Sequence, residues 1–223
     1  MPEGRGLDKN WLVYKDPYGS ERNNRSTKMD PTLVNLIARK GVERGYGARF
    51  PVALAGAEST FGRQDAENPM QYKNKIPTDL ANSSSEMARV LETTSFLEQQ
   101  GMPKDKAKGL ENYLYKRYVL PAQTINKAFD TLDKKAKTLK RLKRPITPEN
   151  LAWLYQGSGT INAEEVPSRR AYGKPVTKNT PSSPEPVMVR QMMAELKKQK
   201  DEGTIGNYLR KGFSYQEPSW YRD

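Results

Sequence analysis

The 223-residue sequence predicts a mainly α fold. Three observations carry the prediction. Apolar residues recur at three- and four-residue intervals in one segment after another. Capping residues and glycines bracket those segments. No convincing pair of alternating runs joined by a tight turn marks a strand pair.

The elements follow in chain order. Residues 1–29 are polar, basic and glycine-bearing, with scattered Trp11, Tyr14 and Tyr18. They read as an extended N-terminal arm, with simple disorder as the alternative. Asp30-Pro31 sets an N-cap before a proline at the first helical position. Leu33, Val34, Leu36 and Ile37 then follow at helical spacing, to a stop near Gly45. Residues 51–61 form a second helix. "NPMQYKNKIP", 68–77, is a loop, and a short hairpin near 65–78 is the one place for strands. Ser84 or Ser85 opens a helix through Met87, Val90, Leu91 and Phe96, which Gly101 stops. Helical spacing resumes over 104–119 and 122–143. Thr147-Pro148-Glu149 caps the helix "NLAWLY", which ends at the glycines of "QGSG". Prolines at 167, 175, 181, 184 and 186 make 162–186 irregular. A helix over 187–201, a shorter one over 204–211 and an extended aromatic tail complete the chain.

Composition narrows the chemistry. Apolar content is 35%, so long stretches face water or a partner. Lys and Arg outnumber Asp and Glu by 38 to 26, a formal charge of +12 that favours an anionic partner. Cysteine and histidine are both absent. Disulfides, thiolate nucleophiles, Cys/His zinc sites and histidine triads are therefore excluded. Acid–base work falls to Asp, Glu, Lys or Tyr. No apolar run approaches the roughly 20 residues of a membrane span. The first residues hold no apolar segment of the secretory kind, and export by the usual route is not expected.

"FPVALAGAESTFG", 50–62, is the most informative stretch. Val52 to Ala57 cover every direction of a helix, so that helix is packed on most sides. Glu58 ends the run, above Leu54. It either marks the helix end and points to water, or it is an acid in a partly apolar wall, held neutral by desolvation. Three segments occur in order: Glu58-Ser59 at a buried helix end, Pro69-Met70-Gln71 in a loop, and Tyr155-Gln156-Gly157-Ser158-Gly159 at a later helix end.

Over roughly residues 48–162 this arrangement resembles the lytic transglycosylase and goose-type lysozyme superfamily. There a glutamate-serine pair ends a buried helix, a "G-L-M-Q" loop follows, and "A-Y-N-A-G-P-G" comes later. The sequence departs from that pattern in three ways. The first two motifs stand closer together, Gln156 replaces the asparagine, and a basic helical insertion at about 104–144 separates motifs two and three. The resemblance implies a lysozyme-like catalytic domain over 30–162, followed by a proline-rich segment, helices and aromatic tail over 163–223.

The resemblance also implies a mechanism. Glu58 protonates the glycosidic oxygen between N-acetylmuramic acid and N-acetylglucosamine. As a base it then takes the proton of the muramic 6-hydroxyl, leaving a 1,6-anhydro sugar. Ser59, Met70, Gln71, Tyr155, Gln156 and Gly157 would bind substrate, and neither cofactor nor metal is called for. A hydrolytic lysozyme stays open. An inverting one needs a second carboxylate roughly 6.5–9.5 Å away, and Asp65 and Glu67 stand just past the helix. A structural virion protein that keeps the fold with little activity is a further alternative.

"KKAKTLKRLKR", 134–144, carries seven cations in eleven residues. It is a solvated helix face, or it touches anionic wall polymers, DNA without sequence preference, or an acidic protein. A wall-cutting fold without a signal suggests a bacteriophage virion, in the tail or among the internal proteins ejected with the genome. The arm, the proline-rich stretch and the tail suit contacts with other virion proteins, and an oligomer is compatible with them.

Overall fold

The computed structural model describes residues 11–14, 25–28, 31–59, 67–72, 74–156, 185–201 and 218. The fold is mainly α, as the periodicity predicts. The expected helix over 204–211, the aromatic tail, the irregular stretch up to residue 184 and most of the arm lie outside the described residues.

Helix α1 (Pro31–Glu43) buries Leu33, Val34, Ile37 and Ala38 on one side. It turns Arg39 and Glu43 outward, where Arg39 pairs with Glu43 at 3.6 Å one turn on. Its end is a Schellman motif. Tyr46 N–H donates to the Gly41 carbonyl and Gly45 N–H to that of Val42, with Gly45 at φ 77. Gly41 has a second role. A Cβ there would collide with the Gly47 carbonyl oxygen and stand 2.7 Å from Pro51 Cγ. Its bare backbone lets the chain double back at once.

Helix α2 (Arg49–Ser59) then enters the core. Pro51 sits in its first turn, where its missing N–H breaks no helical bond. Every residue from Phe50 to Gly56 is buried. A helix so apolar must be covered all round, and it packs against α1 and against α8 (Glu185–Asp201). α8 presents Val189, Met192, Met193 and Leu196, one helical stripe, to the same core.

A smaller helix, α3 (Thr78–Asn82), precedes α4 (Ser85–Gln99). Ser84 caps α4 by accepting the Met87 N–H at 3.1 Å. Gly101, at φ 97, closes it in a second Schellman turn. Helices α5 (Lys104–Leu114) and α6 (Leu120–Arg141), expected as two segments, form one rod joined by a π turn at Tyr115–Val119. Pro121 explains the join. It has no N–H to give, and its ring would strike the carbonyl of Arg117 four residues back. One extra residue in the turn relieves both problems, with Leu120 N–H donating to the Tyr115 carbonyl. A satellite cluster of Ala81, Met87, Val90 and Val119 ties α3 and α4 to this turn.

α6 sends Ile125, Ala128, Phe129, Leu132 and Leu139 into the main core. Beside it, Arg44 donates to Asp130 and to Asp133, each at 2.7 Å, and Tyr46 O–H donates to Asp133 at 2.8 Å. The Asp130 hydrogen bond is the chief reason Arg44 holds its proton more tightly than usual. Burial first, then the Asp133 bond, pushes the Tyr46 hydroxyl well above the ordinary phenol range. Helix α7 (Pro148–Gln156) starts where Thr147 Oγ1 accepts the Asn150 N–H at 3.1 Å, and it packs on α6 and α8.

Two expectations are corrected. Strands do occur, inside the expected arm: β1 (Trp11–Tyr14) pairs antiparallel with β2 (Arg25–Lys28), and β1 lies against α8. Near 65–78, by contrast, no strand appears among the described residues. There the chain spends its polar groups on side-chain hydrogen bonds instead of a ladder.

Candidate active site

Glu58 stands in the last turn of α2. It is partly buried, and its Oε1 is sealed from solvent. The helix delivers it there because the five positions before it, Ala53 to Ala57, are small or apolar and let neighbours close in. Ser59 ends the same helix. Its side chain, that of Gln156 at the end of α7, and the whole of Asp65 and Gly157 lie outside the described residues.

The loop 67–72 is held at three points. Thr124 Oγ1, on α6, donates to the Glu67 carbonyl at 2.9 Å. Asn68 braces the loop from within: its Nδ2 donates to the Tyr72 carbonyl at 2.8 Å and its Oδ1 accepts the Tyr72 N–H at 2.7 Å. Tyr155 O–H, on α7, donates to the Met70 carbonyl at 2.8 Å in the interior. The second and third sequence motifs therefore meet directly, although 85 residues separate them.

The members of the loop differ in what they can offer. Met70 is 0% exposed and joins the core cluster that also holds Leu54, Ala55 and Tyr155. It supplies volume and a carbonyl, and its side chain has no face for a ligand. Gln71 is exposed and adopts φ 48, a left-handed conformation that costs a non-glycine residue on the order of 1 kcal/mol or more. Its N–H donates to the Asn68 carbonyl at 3.0 Å, which closes the turn that imposes this conformation. Burying Met70 one residue earlier throws the Gln71 side chain outward. Glu67 is exposed, so its carboxylate is solvated. Tyr155 is 6% exposed and Trp153 beside it is also buried.

Asn68 and Thr124 are the functional-looking residues that motif reasoning did not single out. Asn68-Pro69 carries a turn signal in the sequence. Thr124 carries none, because nothing local reveals a bond to a carbonyl 57 residues away. Among the described residues no cluster of acidic side chains could hold a metal ion. No described helix is long and apolar enough to cross a membrane.

Chemically, the arrangement offers one sheltered carboxyl at a helix end and one outward amide on a pinned loop. A carboxyl so placed can donate or accept a proton. Comparison with protein-family models, with curated proteins and with solved structures finds no match.

Proposed function

We propose that the chain is a peptidoglycan-cleaving enzyme of the lytic transglycosylase type. The observation that carries the reading is the Tyr155–Met70 hydrogen bond at 2.8 Å. It joins the loop and helix-end motifs within the core that also holds the second half of α2. An independent buried bond between segments chosen only for their motifs supports their belonging to one site.

In this mechanism a glycan strand of alternating N-acetylglucosamine and N-acetylmuramic acid lies across the C-terminal end of α2. Glu58 enters the reaction in its protonated form and acts as the acid. It protonates the glycosidic oxygen as the bond to the muramic anomeric carbon breaks, and positive charge develops there. The resulting carboxylate takes the proton of the muramic 6-hydroxyl. The 6-oxygen closes on the anomeric carbon and gives a 1,6-anhydro end. One carboxyl serves both steps. Gln71, exposed on its pinned loop, hydrogen-bonds the sugar, and Tyr155 positions that loop. Carriage in a bacteriophage virion is part of the same reading, supported by the polar composition of the arm and the proline-rich stretch.

The test is Glu58→Gln, with turbidity loss of purified sacculi and analysis of the released sugars. Wild-type protein releases anhydro-muramic ends, and the variant loses at least a hundredfold in rate. Unchanged lysis by the variant removes Glu58 as the acid. Reducing ends in place of anhydro ends would mark a hydrolase, with Glu67 or Asp65 as the base. Wild-type protein that folds but lyses nothing would favour a structural virion role.

A further inference from the structure

We propose that the C-terminal half of α6 is a docking ridge for the phosphate backbone of duplex DNA, separate from the glycan site. Lys134, Lys137, Lys140, Arg141 and Lys143 are all exposed. None of the five forms an ion pair among the described residues. At about 100° per residue, Lys134, Lys137 and Arg141 fall within an arc of about 60°, and Lys140 borders it. The opposite face carries Leu132 and Leu139, both 0% exposed, so the core fixes which way the ridge faces.

The acids of α6 do not neutralise the ridge. Asp130 stands one turn before Lys134 and Asp133 one turn before Lys137, and Arg44 holds each of them at 2.7 Å. From residue 134 to residue 144 there is no acid at all. The cations also gather at the helix C-terminus, where the backbone dipole already favours them. This helps so many like charges to share two turns of helix.

Charge density selects the occupant. Four cations, Lys134, Lys137, Lys140 and Arg141, span seven residues of rise, about 10 Å at 1.5 Å per residue. The three intervals between them average about 3.5 Å, close to the roughly 3.4 Å between phosphates along each strand of a duplex. A duplex also holds condensed counterions, whose release drives binding to such a surface. No exposed aromatic side chain lies among residues 134–144 for bases to stack on, which disfavours single strands. The contact is with phosphates and is blind to sequence.

The experiment uses the full chain and a fluorescein-labelled 30-base-pair duplex, followed by anisotropy between 50 and 200 mM NaCl. Five contacts predict a slope of log K against log salt of about −4.5, at 0.9 per phosphate. The triple variant Lys134→Gln, Lys137→Gln, Arg141→Gln should flatten the slope by about 2.7 and weaken binding at least tenfold at 50 mM. A matched control, Lys104→Gln, Lys106→Gln, Lys108→Gln on exposed positions of α5, should leave the slope unchanged. Circular dichroism verifies that both variants fold. Equal loss in the two variants would overturn the proposal, since net charge alone would then be acting. Absence of binding at 50 mM would also overturn it. So would displacement of the duplex by linear polyglycerol phosphate at equal phosphate concentration, which would assign the ridge to wall polymers.

Discussion

Tyr155→Phe isolates one atom of the site. The ring stays, and with it the packing of a residue that is 6% exposed. What disappears is the donor to the Met70 carbonyl at 2.8 Å. A buried hydrogen bond contributes about 1 kcal/mol net, and a carbonyl left dry raises the loss to about 3 kcal/mol. Taking about 2 kcal/mol, and about 3 °C per kcal/mol for a chain of this size, the melting temperature should fall by about 6 °C. Sacculus lysis at 25 °C should fall by more than stability explains. The loop that carries Gln71 loses its tether to α7, and small displacements of binding groups cost on the order of tenfold to a hundredfold in rate. Differential scanning fluorimetry and turbidity loss on the same preparations read the two effects. A variant with an unchanged melting temperature and full lysis would refute the reasoning, because the bond would then tie nothing together.

Gly41→Ala should destabilise the chain by about 3 kcal/mol, since its methyl group meets backbone at Gly47 and ring at Pro51 with no flexible atom to yield; chemical denaturation measures it. Lys143→Gly should do the opposite. Lys143 sits at φ 53 in the Schellman turn that ends α6, with Arg144 N–H donating to the Leu139 carbonyl at 2.9 Å. Relief of that left-handed conformation is worth about 1 kcal/mol, seen as a higher denaturation midpoint. Tyr46 gives an alkaline signature. Its folded-state pKa is raised, so the native state keeps the proton that the unfolded chain gives up above about pH 10. Stability is therefore fully present below that pH and falls above it, by at most about 1.4 kcal/mol per pH unit. Tyr46→Phe should flatten that limb in urea melts between pH 9 and 11.

Much of the architecture could be read from local signals. Ser84 caps α4 and Gly101 ends it because a hydroxyl and a left-handed glycine act within one turn. The apolar run before Glu58 marked α2 as buried for the same local reason. What escaped depends on distance. The β1–β2 ladder needs Trp11 opposite Lys28, a pairing with no tight turn to announce it. Pro121 reads as a helix boundary, yet the π turn carries the rod past it. At the site, Glu58, Gln71 and Tyr155 stood out by motif. The enclosure of Met70 and the tether from Thr124 did not, since both follow from how α6 and α7 close over the loop.

The pairing of α2 with α8 sets the order in which the protein can be made. Residues 49–59 leave the ribosome with the side that faces α8 uncovered, and the stripe that covers it ends at Leu196. At about 5–20 residues per second, that gap of some 137 residues lasts roughly 7–30 s. During the wait the nascent chain exposes its stickiest segment. Chaperone occupancy on stalled chains should therefore rise once α2 emerges and collapse only after Leu196 does.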